Sequence, residues 1–332
     1  MTDPQRATAP ETAATEGASR PSAANRHYDS GPGRTYASFG VARALRQIRH
    51  AIRRRFFEPP DYQPLIDHLR EAEARMTKAL GRPVSDLDVL EIGPGQDLAR
   101  AIFFGRSNRV TAFDHDVIAI GLDPGRYRQM LARNGLARCL KSAANEVLIG
   151  HYARTRYVRL LGLSSLPRPQ FLEGDICSDA PPEKSFDLAM TWSAFEHFAD
   201  PAQALKNILA SLRPCGLFYV SIHLWTCNNG HHDIRSFTGQ ADALPLWAHL
   251  RRSTQHLVRP SAYLNRWRLQ QWRELFSQMC PGHTEILDQY EHPEVLGPRI
   301  DANLARELAD YGREELLTVN AVFIGTKSKY QR

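Results

Sequence analysis

The sequence predicts an α/β fold, a mostly parallel sheet with helices on both faces, and three observations predict it. From Asp88 onward short β-rich runs alternate with helical stretches, the pattern of a sheet layered by crossover helices. The first run, Val89-Leu90-Glu91-Ile92, passes directly into a glycine-punctuated turn, Gly93-Pro94-Gly95-Gln96-Asp97-Leu98, with a helical stretch behind it. The second, Val110-Thr111-Ala112-Phe113, ends on an acid, Asp114, about 20 residues after that turn.

Composition permits such a core. The chain has 332 residues, 42% of them hydrophobic and 23% charged, as expected of one large globular domain with insertions or of two modest ones. The net charge of +6 is largely local and chooses no partner by itself. Five cysteines, at 139, 177, 215, 227 and 280, form no C-x-x-C pair. That argues against a disulfide framework or a thiolate zinc site and places the chain in a reducing cytoplasm. No run approaches the roughly 18–20 apolar residues that span a bilayer, and the N-terminus lacks a secretory-signal pattern.

Residues 1–33 are rich in Ala, Thr, Ser, Pro and Gly, and read as a disordered tail because they cannot bury enough surface to offset ordering entropy. In 34–58 seven arginines (34, 43, 46, 49, 53, 54 and 55) stand against one acid, Glu58, while Leu45, Ile48, Ile52 and Phe56 recur at helical spacing. This is either an amphipathic helix for an anionic membrane surface or, preferred here, an N-terminal helix packed on the core with a solvated Arg face. Residues 63–80 form a further amphipathic helix stopped by Gly81 and Pro83, so 34–84 is an N-terminal helical region ahead of a main domain at 85–332. Strands are expected at 88–92, 109–113, 169–172, 186–191, 216–222, 283–289 and 316–324, with a helix at 267–279. Two insertions interrupt the alternation. The stretch 124–168 is too long for one crossover and carries a second helical pattern at 137–162, and 223–266 reads as a long excursion rich in His, Trp and Arg.

Gly93 and Gly95 let the backbone turn sharply and approach a ligand closely, and the following helix start offers free N–H groups. The dinucleotide pattern needs a third Gly where this chain has Leu98, which disfavours NAD or FAD and with them a nicotinamide oxidoreductase. Asp114 has two readings, ribose binding or, with Asp116, a helix N-cap. Ribose binding is preferred given the turn upstream.

The order of these motifs resembles the class I S-adenosylmethionine (SAM)-dependent methyltransferases. Phe171-Leu172-Glu173-Gly174-Asp175-Ile176 is similar to the family's third-strand end, Ser185-Phe186-Asp187-Leu188-Ala189-Met190 to the fourth strand with Trp192 to His197 just past it, and Leu212-Arg213-Pro214-Cys215-Gly216-Leu217-Phe218 to the turn into strand five. The resemblance covers about residues 88–222. It implies a Rossmann-like seven-stranded sheet with the last strand antiparallel, SAM as cofactor, and roles by position. Glu91, Gly93 and Gly95 would line the methionine end, Asp114 would hold the ribose, Asp175 and Ile176 would flank the adenine, and Trp192 and Ser193 would sit beneath the sulfonium. Asp97 and Cys215 depart from the family by replacing glycines.

On the acceptor side, groups past strands four and five are favoured, because ligands of open α/β sheets sit beyond the carboxyl ends of strands. Glu196 and His197 are candidate general bases or loop-orienting groups. Five of the thirteen histidines (223, 231, 232, 249 and 256) fall within the excursion, which makes His231 and His232 further candidate bases. A metal held by His223, His231, His232 and Asp233 is a lesser alternative, and no metal is expected, since methyl transfer from a sulfonium needs none. Trp247, Tyr263, Trp267 and Trp272 are candidate walls of an acceptor pocket, with Trp272 the better core residue. The expected activity is methyl transfer to a small-molecule, sugar or lipid-linked glycan acceptor. A non-catalytic methyltransferase-like module docked on membrane through 34–58 is the alternative. No base-flipping or RNA-binding motif supports a nucleic-acid acceptor, and oligomeric state is not legible.

Overall fold

The computed structural model describes residues 59–237, 243–288 and 293–327, with positions 53, 56 and 57 ahead of them. The expected tail at 1–33 and nearly all of the basic segment 34–58 lie outside the described residues.

Helix α1 (Gln63–Leu80) starts at a Pro in its first turn and stops on Gly81 in the left-handed conformation. Then follow β1 (Asp88–Ile92), α2 (Ala99–Phe104), β2 (Arg109–Asp114), α3 (Pro124–Asn145), α4 (His151–Leu160), β3 (Gln170–Glu173), β4 (Phe186–Trp192), α5 (Pro201–Ser211), β5 (Leu212–His223), α6 (Leu269–Met279), β6 (Thr284–Asp288) and β7 (Asn320–Thr326). The seven strands form one sheet in the order β3-β2-β1-β4-β5-β7-β6. β1 to β5 pair in parallel, and β7 runs antiparallel to both β5 and β6. The seven-stranded, mostly parallel sheet with an antiparallel last strand is the one the sequence implies.

Alternate side chains of each strand feed opposite faces. On one face Ile66, Leu69 and Met76 of α1, Ile102 and Phe103 of α2 and Tyr157 of α4 pack with Val89, Leu188, Leu217, Tyr219 and Val322. On the other, Leu205 and Ile208 of α5 and Trp272 and Phe276 of α6 pack with Leu90, Ala189, Phe218, Val220 and Phe323. The N-terminal ends of the central strands are tied by charge. Asp88 accepts from Arg109 at 2.6 Å and from Arg213 at 2.9 Å, and Arg213 also reaches Asp187 at 2.7 Å.

The helical pair expected in the first insertion is present: Gly135, at a left-handed φ of 82°, interrupts Pro124–Asn145, so a second helix starts close to the expected 137 and runs into α4 through a π-helical stretch at Glu146–Gly150. Two strand starts differ from their sequence reading. β5 begins at Leu212 rather than 216, because Cys215 adopts a left-handed φ of 63° within the strand and lets it pass the Arg213-Pro214 segment. The last strand begins at Asn320 rather than 316, because Leu316 and Leu317 close a short helix, Arg313–Leu317, and turn into a satellite core. Trp247 is fully buried in that same satellite core with Leu296, Leu304 and Leu308, which removes it as a pocket wall. No helix of the described residues is long and apolar enough to cross a membrane.

Candidate active site

The parallel pairing places the carboxyl ends of β4, β1, β2 and β3 side by side, and the predicted cofactor residues sit on the loops that leave them. Ile92 is opposite Phe113 and Asp114 opposite Glu173. The Gly93 N–H donates to Phe113 O at 2.9 Å, and the Gly174 N–H donates to Asp114 O at 3.0 Å, so each loop is tied to its neighbour's strand end. Gly93, Gly95 and Leu98 all take left-handed φ, at 66°, 69° and 55°. Asp97 does not, so the family's third glycine is replaced without strain at its own position, and the left-handed step falls on Leu98 as α2 begins. A Cβ on Gly93 would lie 2.8 Å from Ala194 Cβ, which brings the β1 turn against the residue after Ser193.

Asp114 is the hub of this end of the sheet. Its carboxylate accepts from the N–H of Asp116 at 2.9 Å, and the N–H of Gly95 acts on it from nearby. It is no helix N-cap: Asp123 caps α3 through the N–H groups of Gly125 and Arg126. Asp116 instead bonds Asn134 at 2.9 Å and Arg138 at 2.9 Å. Burial pushes the Asp114 carboxyl up to about 6, against the opposing pull of the two N–H donors. Glu91 is 1% exposed, and burial lifts its carboxyl to about 8, with Arg100 opposing and Asp97 and Asp114 reinforcing. Its Oε2 has no hydrogen-bond partner, and neither does the buried Trp192 Nε1.

Asp175 and Ile176 part ways. Asp175 is partly exposed and accepts from the Cys177 N–H at 2.9 Å. Ile176 is 3% exposed, packed in the α5–α6 core, with its carbonyl held by Asn207 at 2.8 Å. Trp192 likewise packs inward on Phe104 and Tyr219, whereas Ser193, exposed and at a φ of 50°, stands at the mouth.

Past β4 and β5 a second group of side chains converges. His197 Nδ1 lies 2.7 Å from the carbonyl of Tyr263, so that nitrogen carries the proton and Nε2 the lone pair. His232 Nε2 is 3.0 Å from His223 Nδ1 and 3.9 Å from Glu196 Oε1. His223 Nε2 in turn faces Asn229 Oδ1 at 3.0 Å. Glu196 is 2% exposed, and neither of its carboxylate oxygens has a partner of full hydrogen-bond geometry, although the backbone N–H groups of Glu196 and His223 oppose the effect of burial on it. Burial lifts the Glu196 carboxyl to about 8 and lowers His197, His223 and His232, so the imidazoles are unprotonated at neutral pH, the form a base or a metal ligand needs. Glu196, His197 and His232 each offer a ligand atom, all within 4.8 Å of one another.

The four predicted base candidates therefore do not act together. His231 turns away: its Nδ1 accepts from the Asp233 N–H at 2.9 Å, and its ring packs on His249. Asp233 is held by Arg235 and by the Arg259 N–H. The alternative His223, His231, His232 and Asp233 metal set is thus split, and His256 is exposed on the surface. Sequence reasoning missed Asn265, whose side chain donates to Phe195 O at 2.7 Å and Phe198 O at 3.1 Å while its N–H donates to Glu196 O. Its signal was the Tyr263-Leu264-Asn265-Arg266-Trp267-Arg268 stretch. A cavity of 280 Å³ lies at the opposite, N-terminal end of the strands, lined by Asp88, Asn108, Arg109 and Gln170, and holds none of these groups.

A profile of the methyltransferase domain matches residues 62–278. The chain belongs to the SAM-dependent methyltransferase family. Its match opens at α1 and runs through α6. The methyltransferase is similar to the YcgJ protein of Bacillus subtilis (15% identity, 78% of this chain and 99% of that one, TM-score 0.38). It is also similar to a SAM-dependent methyltransferase of Mesorhizobium loti (16% identity, 77% and 97%, TM-score 0.41), and to a phosphoethanolamine N-methyltransferase of Haemonchus contortus (13% identity, 78% and 52%, TM-score 0.41). No curated protein matches the sequence. S-adenosylmethionine is the methyltransferase's cofactor. The residues present fit it: the buried Glu91 carboxyl has an oxygen without a partner, and the buried Trp192 Nε1 beside this end of the sheet has none either.

Proposed function

We propose that this methyltransferase holds SAM across the ends of β1, β2 and β3 and transfers the methyl group to a small-molecule, sugar or lipid-linked glycan acceptor lying past β4 and β5. The observation that carries the cofactor half is that glycine turn and acid meet at neighbouring strand ends: the Gly93 N–H donates to Phe113 O at 2.9 Å, and the Gly95 N–H acts on the Asp114 carboxyl. In this reading Asp114 accepts from the ribose hydroxyls, Asp175 and Ile176 bound the adenine from the rim and the core, and Gly93 and Gly95 let the backbone approach. Glu91 gives its unpartnered carboxyl to the cationic methionine end. Trp192 forms the floor and Ser193 the rim toward the acceptor. When bound, SAM supplies an electrophilic methyl on a sulfonium whose thioether leaves unprotonated. The chain's own task is then alignment of donor and acceptor and, where the nucleophile loses a proton, removal of that proton. In this reading Glu196, His197 and His232 surround the acceptor side as candidates for that step, and His231 supports the loop.

Calorimetric titration tests the cofactor half. Wild type is expected to bind SAM, and Asp114→Ala to weaken binding by about tenfold or more, the loss of a charged hydrogen-bond acceptor. Unchanged affinity in the variant would remove Asp114 from the site. Transfer of labelled methyl into metabolite and glycan extracts identifies the acceptor. The unpaired cysteines support a cytoplasmic setting. The arginine excess of 34–58 supports peripheral contact with an anionic membrane, and equal vesicle co-sedimentation of wild type and a 34–58 deletion would end that part of the proposal.

A further inference from the structure

We infer that Glu196, His197 and His232 form a site for one divalent transition-metal ion beyond the ends of β4 and β5. Three features carry this. The ligand atoms already lie within 4.8 Å of one another, contributed by the turn after β4 and by the loop after β5. Glu196 is buried, and neither carboxylate oxygen has a partner of full hydrogen-bond geometry; the backbone N–H groups of Glu196 and His223 pull on it only weakly against burial, an arrangement that costs free energy unless a cation or donor compensates it. The supporting layer is that of a metal site. His197 donates its Nδ1–H to the Tyr263 carbonyl, which fixes the ring and leaves Nε2 as the lone-pair nitrogen. Asn265 pins the turn carrying Glu196 and His197 through three hydrogen bonds. Behind His232, the Asn229 Oδ1 accepts from His223 Nε2, so His223 Nδ1 accepts from His232 Nε2. That last bond is the one the ion replaces.

Two imidazoles and one carboxylate select zinc, manganese, cobalt or iron over magnesium and calcium, which prefer all-oxygen sets. Three protein ligands leave coordination positions open, as in sites that bind a substrate oxygen or water. His197 is only partly buried, which gives the open side a route to solvent. Use of the ion to seat an acceptor oxygen rests on the methyltransferase reading above. Binding of the ion does not.

The test uses the full chain stripped by chelator. Zinc or manganese chloride is titrated calorimetrically, and cobalt(II) is followed by its visible absorption. Wild type is expected to bind one equivalent, with cobalt bands of low coordination number and no response to magnesium. Glu196→Gln and His232→Gln are expected to weaken binding by more than about tenfold, whereas His256→Gln, on the exposed surface, leaves it unchanged. SAM titration of every variant reports the fold: a cluster variant that still binds SAM but has lost the ion supports the site. No ion binding by wild type, or equal binding by the Glu196 and His232 variants, overturns it. Ion binding without SAM binding by wild type would overturn the function proposed above and leave this site standing.

Discussion

Glu91 shows how a single side chain at the strand end ties cofactor chemistry to stability. Its carboxyl is lifted to about 8 chiefly by burial, while in the unfolded chain it titrates near its ordinary value of 4.5. Between those two pH values the folded state holds a proton the unfolded state has released, so on this group's account stability falls as pH rises through the window, is uncompromised below it and carries the full penalty above it. Glu91→Gln, isosteric and neutral, removes the penalty. The variant's melting temperature without ligand is expected to match wild type near the acid end of the window and to exceed it increasingly up to pH 8, by a difference of about 3–5 kcal/mol at most. Buried His223 and His231, held down to about 4, weaken both proteins alike below pH 6.5, so the measurement is the difference between the two. A pH-independent difference would mean that Glu91 is ionised in the fold. Gly93 makes the steric counterpart. Its φ of 66° and the 2.8 Å approach to Ala194 mean that Gly93→Ala should cost about 1–3 kcal/mol by urea unfolding and weaken SAM binding as well. At this scale the cofactor side was legible in the sequence, because glycines and an acid at strand ends are local signals. The acceptor side was half legible. Glu196 and His197 are adjacent in the chain, but their partner His232 arrives from a loop 35 positions on, and no spacing rule predicts which of two neighbouring buried histidines meets the Glu196–His197 pair.

Among the elements, α6 carries the clearest energetic claim. Phe276 stacks face to face on Phe323 of β7, ring centroids 4.1 Å apart, with Phe218 and Phe195 on its other sides. This one helix therefore clamps the β5–β7 pair where the sheet changes direction. Phe276→Ala should lose about 3–5 kcal/mol, read as a lower urea midpoint with an unchanged slope. A cost under about 1 kcal/mol would mean that the antiparallel edge does not depend on α6. Strands with alternating or continuous apolar runs between turn residues, such as β1, β2 and β4, were legible to within a residue or two, since periodicity is set by local geometry. The misread elements share a different cause. The Leu316-Leu317 pair looks like the start of a strand because both strand and helix cores are apolar, and only the satellite cluster around Trp247 decides between them. Cys215 hides the early start of β5 because a left-handed φ is expected of glycine, not of cysteine. Gly135, by contrast, ends one helix and opens the next at a non-helical φ of 82°, close to where the helical pattern at 137–162 begins.

For the molecule as a whole, the sheet separates the candidate site from its support: the candidate groups gather on the loops at one end of the strands, while the two helix layers and the Asp88–Arg213 charge network hold the rest. Linkage turns that division into an expected result. A ligand that binds only the folded state adds about 2.7 kcal/mol at a hundredfold excess over Kd. In a domain of this size that is a rise of about 5–10 °C in melting temperature. Wild type should show the full rise with SAM. Phe276→Ala should start lower and still rise by a similar amount, because α6 packs beneath the sheet rather than at its carboxyl end. Asp114→Ala should start somewhat below wild type, because the Asp116 N–H loses its acceptor, and rise little. If instead the Phe276 variant lost the rise while the Asp114 variant kept it, the cofactor would be bound against α6, and the crevice joining Gly93, Gly95 and Asp114 would have to be assigned to structure alone.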